Sequence, residues 1–425
     1  MSSHVDGASS GRPESGRLES GRPDSGRPDA EMDYSAPPYD QWDSAQPYAQ
    51  WDHSRRHCPV IEEPGLSFTD EPAVPRFTVT SWADADRVLR DWRTFSASIN
   101  GEVMGPYMGE LILGLDGDEH RRYRNLVAYA FRRSTLERWR GELVEPVIDK
   151  LLAGIAAAGR ADLVAEVTSK FPVQVICGIV GVPTTDHEQF NEWAVKINYG
   201  PLYPEEGTAA SQAMREYLEP LVEARRDHPT GDLLSELVHA EIDGIRLTDE
   251  KIYGFLRLLL PAGAETTYRA FGSCLLALLD RPEALARVRA DRSLVPAAVE
   301  ETLRWETSVT MVARRAATGT HIGGCAVPAG ASVSVISGSA SRDESRWAGA
   351  GEWDLDREPQ THMAFGTGPH QCLGMHLARM ELETGVNAVL DRLPNLRLDP
   401  GAEPPVISGY AFRGPLALPV LFDPS

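Results

Sequence analysis

One cysteine of this chain sits in a setting that favours a thiolate. Cys372 lies in FGTGPHQCLG, residues 365–374, followed directly by the amphipathic stretch LGMHLARMELETGVNAVL. A helix starting there places free backbone N–H groups and the positive end of its dipole near the sulfur, and both stabilise the charged form. Gly366, Gly368 and Gly374 permit backbone conformations and close approaches that a side chain would block. Such a loop is a good bed for a metal-bound thiolate. By itself the cysteine reads first as an inert thiol buried in a glycine-rich turn. A cysteine hydrolase using His370 or His376 is a further reading, but it lacks a third, orienting group.

Other segments carry chemistry at regular spacing. In DEHRRYRNLVAYAF, His120 and Arg124 stand four apart and share a helix face. In VEETLRW, Glu301 and Arg304 stand three apart and can form an ion pair. In LLLPAGAETT, Pro261 removes a ladder hydrogen bond from a helical pattern, and Thr266 can bond a carbonyl one turn back. Poor helix propensity at such a point marks a kinked core helix or a functional site.

The full spacing F-x-x-G-x-H-x-C-x-G, with these segments in order, resembles the cytochrome P-450 family. The resemblance covers about residues 59–425. It implies a haem-thiolate monooxygenase holding haem b (iron protoporphyrin IX). Cys372 would be the axial iron ligand, Phe365 would shield its sulfur, and Gly374 completes the motif. His120, Arg124, Arg314, His362 and His370 match contacts to the haem propionates, with Arg315 competing for the place of Arg314. Charged donors to carboxylates make strong hydrogen bonds. Glu301 and Arg304 match a structural pair some 70 residues before the cysteine. Its usual third partner is open, because Glu352 stands where many relatives carry Arg or His. Thr266 and Glu265 match the acid–alcohol pair of the oxygen-activation helix, the acid relaying protons inward. Loss of such a pair would fit a peroxide-driven enzyme, and loss of the thiolate a non-catalytic binder; both features are present here.

The elements that must position these residues read as mostly α with small β-sheets, in one haem-binding domain over 59–425. Strands are expected at 76–81 and within 321–337, with helices at 82–92, 134–157, 231–240 and 373–393. Residues 11–30 repeat GRPES four times with variation, and residues 1–58 read as a disordered tail. Aromatics at Tyr34, Tyr39, Trp42, Tyr48 and Trp51 within it could dock onto the folded domain or a partner.

A net charge of −20 argues against nucleic-acid binding. No run approaches the ~18 apolar residues of a membrane span. Five widely spaced cysteines fit a reducing, cytoplasmic compartment. Residues 121–140 hold seven arginines against one acid, Glu137. The family's basic face there would receive a ferredoxin fed by a ferredoxin reductase from NAD(P)H, with Arg121, Arg122, Arg132 and Arg133 in the patch. By family position the pocket walls fall on a loop at 96–113, on 184–202, and on Leu259, Ala262 and Gly263. Val309, Val312 and Phe412, within 309–312 and 410–412, complete them. Their apolar, aromatic character suits a hydrophobic small molecule. Tailoring of a natural product is the leading expectation; catabolism of a steroid, fatty acid or xenobiotic, or a peroxygenase, is the alternative. Dioxygen is the co-substrate.

Overall fold

The computed structural model describes residues 47–63 and 74–425. The pentapeptide repeat and most of the expected tail lie outside the described residues. The last part of that tail departs from expectation. Tyr48–His57 form helix α1, and its Trp51 is buried at 3 % exposure. Arg55, Arg56 and His57 fall in its last turn, where the helix dipole favours cations. Burial of the aromatic face outweighs a polar composition, so the folded part begins before residue 59.

Strands β1 (Val60–Glu63), β2 (Arg76–Val79) and β3 (Phe95–Ser96) lead to helix α2 (Gly117–Ala128). Helix α3 (His187–Asn198) precedes the longest element, α4 (Asp249–Leu279). Thr248 caps α4 by accepting from the Lys251 N–H, and Asp249 and Glu250 occupy its positive end. Its 31 residues span about 46 Å. Phe255, Leu256, Leu260, Ala264, Phe271 and Leu275 are buried around its length, so it runs through the core. Helix α5 (Val295–Trp305), strands β4 (Met311–Ala316) and β5 (Ser332–Ile336), and helix α6 (Met375–Arg392) follow. The main sheet runs β1-β2-β5-β4-β3, with β5 parallel to β2 and antiparallel to β4. The other sheets have two or three strands. The architecture is the mostly helical, small-sheet, single-domain fold expected.

Two local differences have physical causes. The stretch 134–157 is not one helix: Arg133–Trp139 and Glu145–Ile155 flank a π-turn at Arg140–Val144. Pro146, near the start of the second helix, has no N–H to donate, which favours a wider turn before it. The stretch 96–113, expected as a loop, contains helix Ser98–Met108; its glycines and Pro106 disguise the pattern.

Helix α6 buries an acid that is incompletely bonded. Glu381 is 3 % exposed, and its Oε2 has no hydrogen-bond partner among the described residues. Desolvation holds its pKa well above the usual carboxylate range. The folded state therefore binds this proton more tightly than the unfolded chain does. Its stabilisation is complete only below the ordinary Glu pKa, about 4.3, and is lost as pH rises towards the folded-state value. For Glu381→Gln the melting temperature, variant minus wild type, is expected to grow from about pH 5 to about pH 8. A gap independent of pH in thermal melts would contradict this.

Candidate functional site

The cysteine loop folds back on itself. The Cys372 N–H donates to the Phe365 carbonyl at 2.8 Å. Gly366 and Gly368 take φ of +62° and +73°. A Cβ at Gly368 would lie 2.6 Å from the Leu89 carbonyl oxygen, so that position requires glycine. Gly374 is the N-cap residue of α6, which begins two residues later than the sequence pattern indicates. Its N–H donates to the Cys372 sulfur. Cys372 is exposed, yet desolvation by surrounding protein raises its thiol pKa. The sulfur therefore faces an internal space. The Gly374 N–H and the charges of Arg124 and Arg379 oppose that shift and favour the thiolate. Phe365 lies in the same loop, with the Arg379 guanidinium 4.6 Å from its ring centre.

Cations gather around this loop. Arg124, from α2, donates to the Gln371 carbonyl at 2.6 Å. His120, one turn earlier, is buried and stacks on His370 with ring centres 4.1 Å apart. Burial, then the neighbouring charges of His370 and Arg124, lower the His120 pKa to about 4. His370 contacts Asp116 at 3.4 Å. Arg314, on β4, is 3 % exposed, and burial lowers its pKa to about 10. It donates to the Ala313 carbonyl and forms no ion pair among the described residues. Its neighbour Arg315 points the other way along the strand and pairs with Glu102. The two arginines are thus separated by burial, with Arg314 on the inner side.

Buried guanidinium groups are costly unless an anion accompanies them. Here Arg314, His120 and His370 share one nearby carboxylate, Asp116, and Arg124 has no ion-pair partner among the described residues. A dianionic cofactor whose metal takes a thiolate fits this donor set. Haem, with two propionates, is such a group, and Cys372, His120, Arg124, Arg314 and His370 are the residues that would hold it.

His362 departs from the expected propionate set. Its Nε2 lies 3.1 Å from Glu300, and its Nδ1 accepts from the Ala364 N–H. Both ring nitrogens are engaged by protein, and Glu300 also binds Arg379. The geometry gives His362 a bracing role under the loop.

The long helix passes through with Ala262 exposed at its centre, between buried turns. Gly263 and Leu259 are half-buried, and a Cβ at Gly263 would approach Ile176 to 3.2 Å. The Thr266 hydroxyl donates to the Ala262 carbonyl at 2.8 Å, the back-bond its position allows. Glu265 is buried, accepting from Arg269 and from Asn198 of α3, each at 3.0 Å. Val309 bridges Phe412, and Val312 shares a strand face with Arg314.

Behind the loop, Arg304 forks onto both oxygens of Glu301 at 2.7 and 2.8 Å. It also donates to the carbonyls of Ser341, Ala350 and Glu352. The third partner left open in the sequence is Arg357, whose Nε meets Glu301 at 3.0 Å. Glu352 contributes its carbonyl, which accepts from both Arg304 and Arg357.

The cytochrome P450 family model matches residues 73–409. The chain belongs to the cytochrome P450 family. Nocardicin C N-oxygenase of Nocardia uniformis subsp. tsuyamanensis is 37% identical over 370 residues, covering 84% of this chain and 92% of the relative. Mycinamicin IV hydroxylase/epoxidase of Micromonospora griseorubida is 37% identical over 317 residues, covering 73% and 79%. Among solved structures, the bacillaene polyketide synthase cytochrome P450 of Bacillus subtilis 168 superposes with TM-score 0.82 at 30% identity, over 89% and 97% of the two chains. This chain is a cytochrome P450 monooxygenase whose cofactor is haem iron. P450 enzymes of this kind take dioxygen, an organic substrate and electrons from redox partners. Among the described residues no helix is long and apolar enough to cross a membrane.

The buried Glu301 cluster generates a stability prediction. Arg304→Ala takes the fork from buried Glu301 and the donor from the carbonyls of Ser341 and Ala350, leaving Arg357 as the cation beside that carboxylate, so a loss of about 3–5 kcal/mol is expected. Arg357→Ala leaves the Arg304 fork in place and should cost about 1–3 kcal/mol. Denaturant titration orders the two, and haem content per chain should fall in the same order. Equal losses would contradict the hierarchy.

Proposed function

We propose that this P450 holds haem b through Cys372 and inserts one atom of dioxygen into a hydrophobic natural-product scaffold, by hydroxylation or epoxidation. The carrying observation is the enclosed thiol beneath a cation-rich, anion-poor shell. When bound, thiolate-ligated haem supplies oxygen activation, because the thiolate donates electron density that favours O–O cleavage. The protein's own work is to orient, to exclude water and to move protons. Arg124 and Arg314 would neutralise the propionates, and His120 and His370 would donate hydrogen bonds to them. Thr266 releases its carbonyl bond to present a hydroxyl beside the oxygen site. Glu265 passes protons towards it from the solvent side, exchanging Arg269 and Asn198 as partners as it does so. The presence of this acid–alcohol pair supports the dioxygen route over a peroxide-driven one.

The relatives named above act on nocardicin C and on a mycinamicin, or belong to a polyketide synthase. Their company supports tailoring over catabolism. Leu259, Ala262, Gly263, Val309, Val312 and Phe412 are the wall residues we assign. Macrolide and peptide libraries can be screened by the haem spin shift. Turnover of a hit under isotopically labelled dioxygen should place one labelled oxygen in the product. Label arriving from water, or turnover only with added peroxide, would overturn the reading.

We further assign electron delivery to a ferredoxin and its NAD(P)H-dependent reductase, and the cytoplasm as the compartment, a choice supported by five free cysteines. Arg121, Arg122 and Arg133 are exposed, whereas Arg132 is partly withdrawn into a bridge with Glu236. An acidic ferredoxin is steered by such a patch, with rates that fall as salt screens it. Charge reversal at Arg121, Arg122 and Arg133 should slow stopped-flow reduction and flatten its salt dependence. Unchanged kinetics would exclude this face.

A further inference from the structure

The first described helix reaches the wall of the pocket through a buried ion cluster. Glu306, just after α5, is 2 % exposed, and Arg413 is fully buried. Arg413 donates through Nε to Glu306 at 2.8 Å, and Arg342 contacts the same carboxylate at 3.5 Å. Among the described residues, both guanidiniums thus meet at one buried carboxylate. Tyr48 of α1 contacts both guanidiniums. Its hydroxyl accepts from Arg413 at 2.9 Å and donates to Glu306 at 2.5 Å. Its ring lies 4.0 Å from the Arg342 guanidinium. Trp51 anchors α1 beside it, packed so closely over Gly338 that a Cβ there would come within 2.9 Å of the indole.

The same cluster shapes a turn. Arg413 donates to the Gly409 carbonyl at 2.7 Å, and its own N–H donates to Ser308. Gly409 has φ +103°, and a Cβ on it would lie 2.0 Å from the Phe412 carbonyl oxygen. Thr310 ties across, its N–H donating to Ala411 at 2.9 Å and its hydroxyl to Tyr410. The outcome of these bonds is the pairing of Val309 with Phe412.

We propose that Tyr48 is a positioning residue for substrate specificity: it locks the Glu306–Arg413 pair that sets the Val309–Phe412 wall. The segment before β1 thus belongs to the recognition apparatus. The inference rests on the pocket assignment made under Proposed function. Its test uses the full-length, haem-loaded protein and two nitrogenous probes that bind haem iron. Imidazole reports access to the iron alone, whereas 4-phenylimidazole also needs the pocket walls. Tyr48→Phe removes two hydrogen bonds, and transmission of about 0.5–1.5 kcal/mol of that loss to the wall corresponds to about two- to tenfold in affinity. Tyr48→Phe should weaken 4-phenylimidazole by that factor, measured by Soret titration, and leave imidazole unchanged. In a Phe412→Ala background the Tyr48→Phe effect should vanish, because the two act through one wall. Trp51→Leu, which removes the ring packed edge-on against Tyr48 and leaves the Tyr48 hydroxyl and the Glu306–Arg413 pair in the sequence, should show the same selective weakening and serves if Tyr48→Phe does not load haem. Equal weakening of both probes, no weakening, or additivity with Phe412→Ala would overturn the proposal. A wild type that binds imidazole but not 4-phenylimidazole more tightly than Phe412→Ala would instead overturn the pocket assignment.

Discussion

Uncompensated positive charge around an enclosed sulfur is the constraint on which the rest of this structure depends. Arg314 is buried and Arg124 half-buried, neither with an ion-pair partner among the described residues, and His120 and His370 stack beside them. A protein tolerates such a cluster when an anion completes it. Arg124, with Arg379 and the Gly374 N–H, lowers the cost of a thiolate at Cys372. In the proposed site, cofactor binding and sulfur ionisation would therefore be coupled through Arg124.

Holding that cluster open requires rigid surroundings, and they come from distant parts of the chain. The long helix α4 provides one side, with its small residues and its Thr266 back-bond. Strand β4 brings Arg314 in from the sheet, while α2 brings His120 and Arg124. Behind the loop, Glu301 gathers Arg304 and Arg357, and Arg304 reaches three carbonyls of the segment 341–352. Glu300, the next residue along, faces the loop instead and braces His362 and Arg379. Adjacent acids on one helix thus support two different segments.

Much of this was legible in the sequence, for identifiable reasons. Glycines with forced conformations, a cysteine before a helix, and pairs at three- and four-residue spacing leave local marks. Helix and strand positions followed from periodicity. What escaped was non-local. Arg357 could not be matched to Glu301 because nothing in GEWDLDR says which residue turns inward. His362 kept a motif position but found Glu300 across the fold. The aromatics Tyr48 and Trp51 were visible as possible docking residues, yet their partners Glu306, Arg342 and Arg413 are more than 250 residues away in sequence. Pro146 hid a π-turn within an otherwise regular helical pattern.

The most direct test of the account is the absorption spectrum of the purified, dithionite-reduced protein under carbon monoxide, for wild type and Cys372→Ser. The account predicts a strongly red-shifted Soret band in wild type that disappears in the variant. Folded wild-type protein that shows no haem band after expression with haem precursor, or a red-shifted band that survives Cys372→Ser, would contradict it.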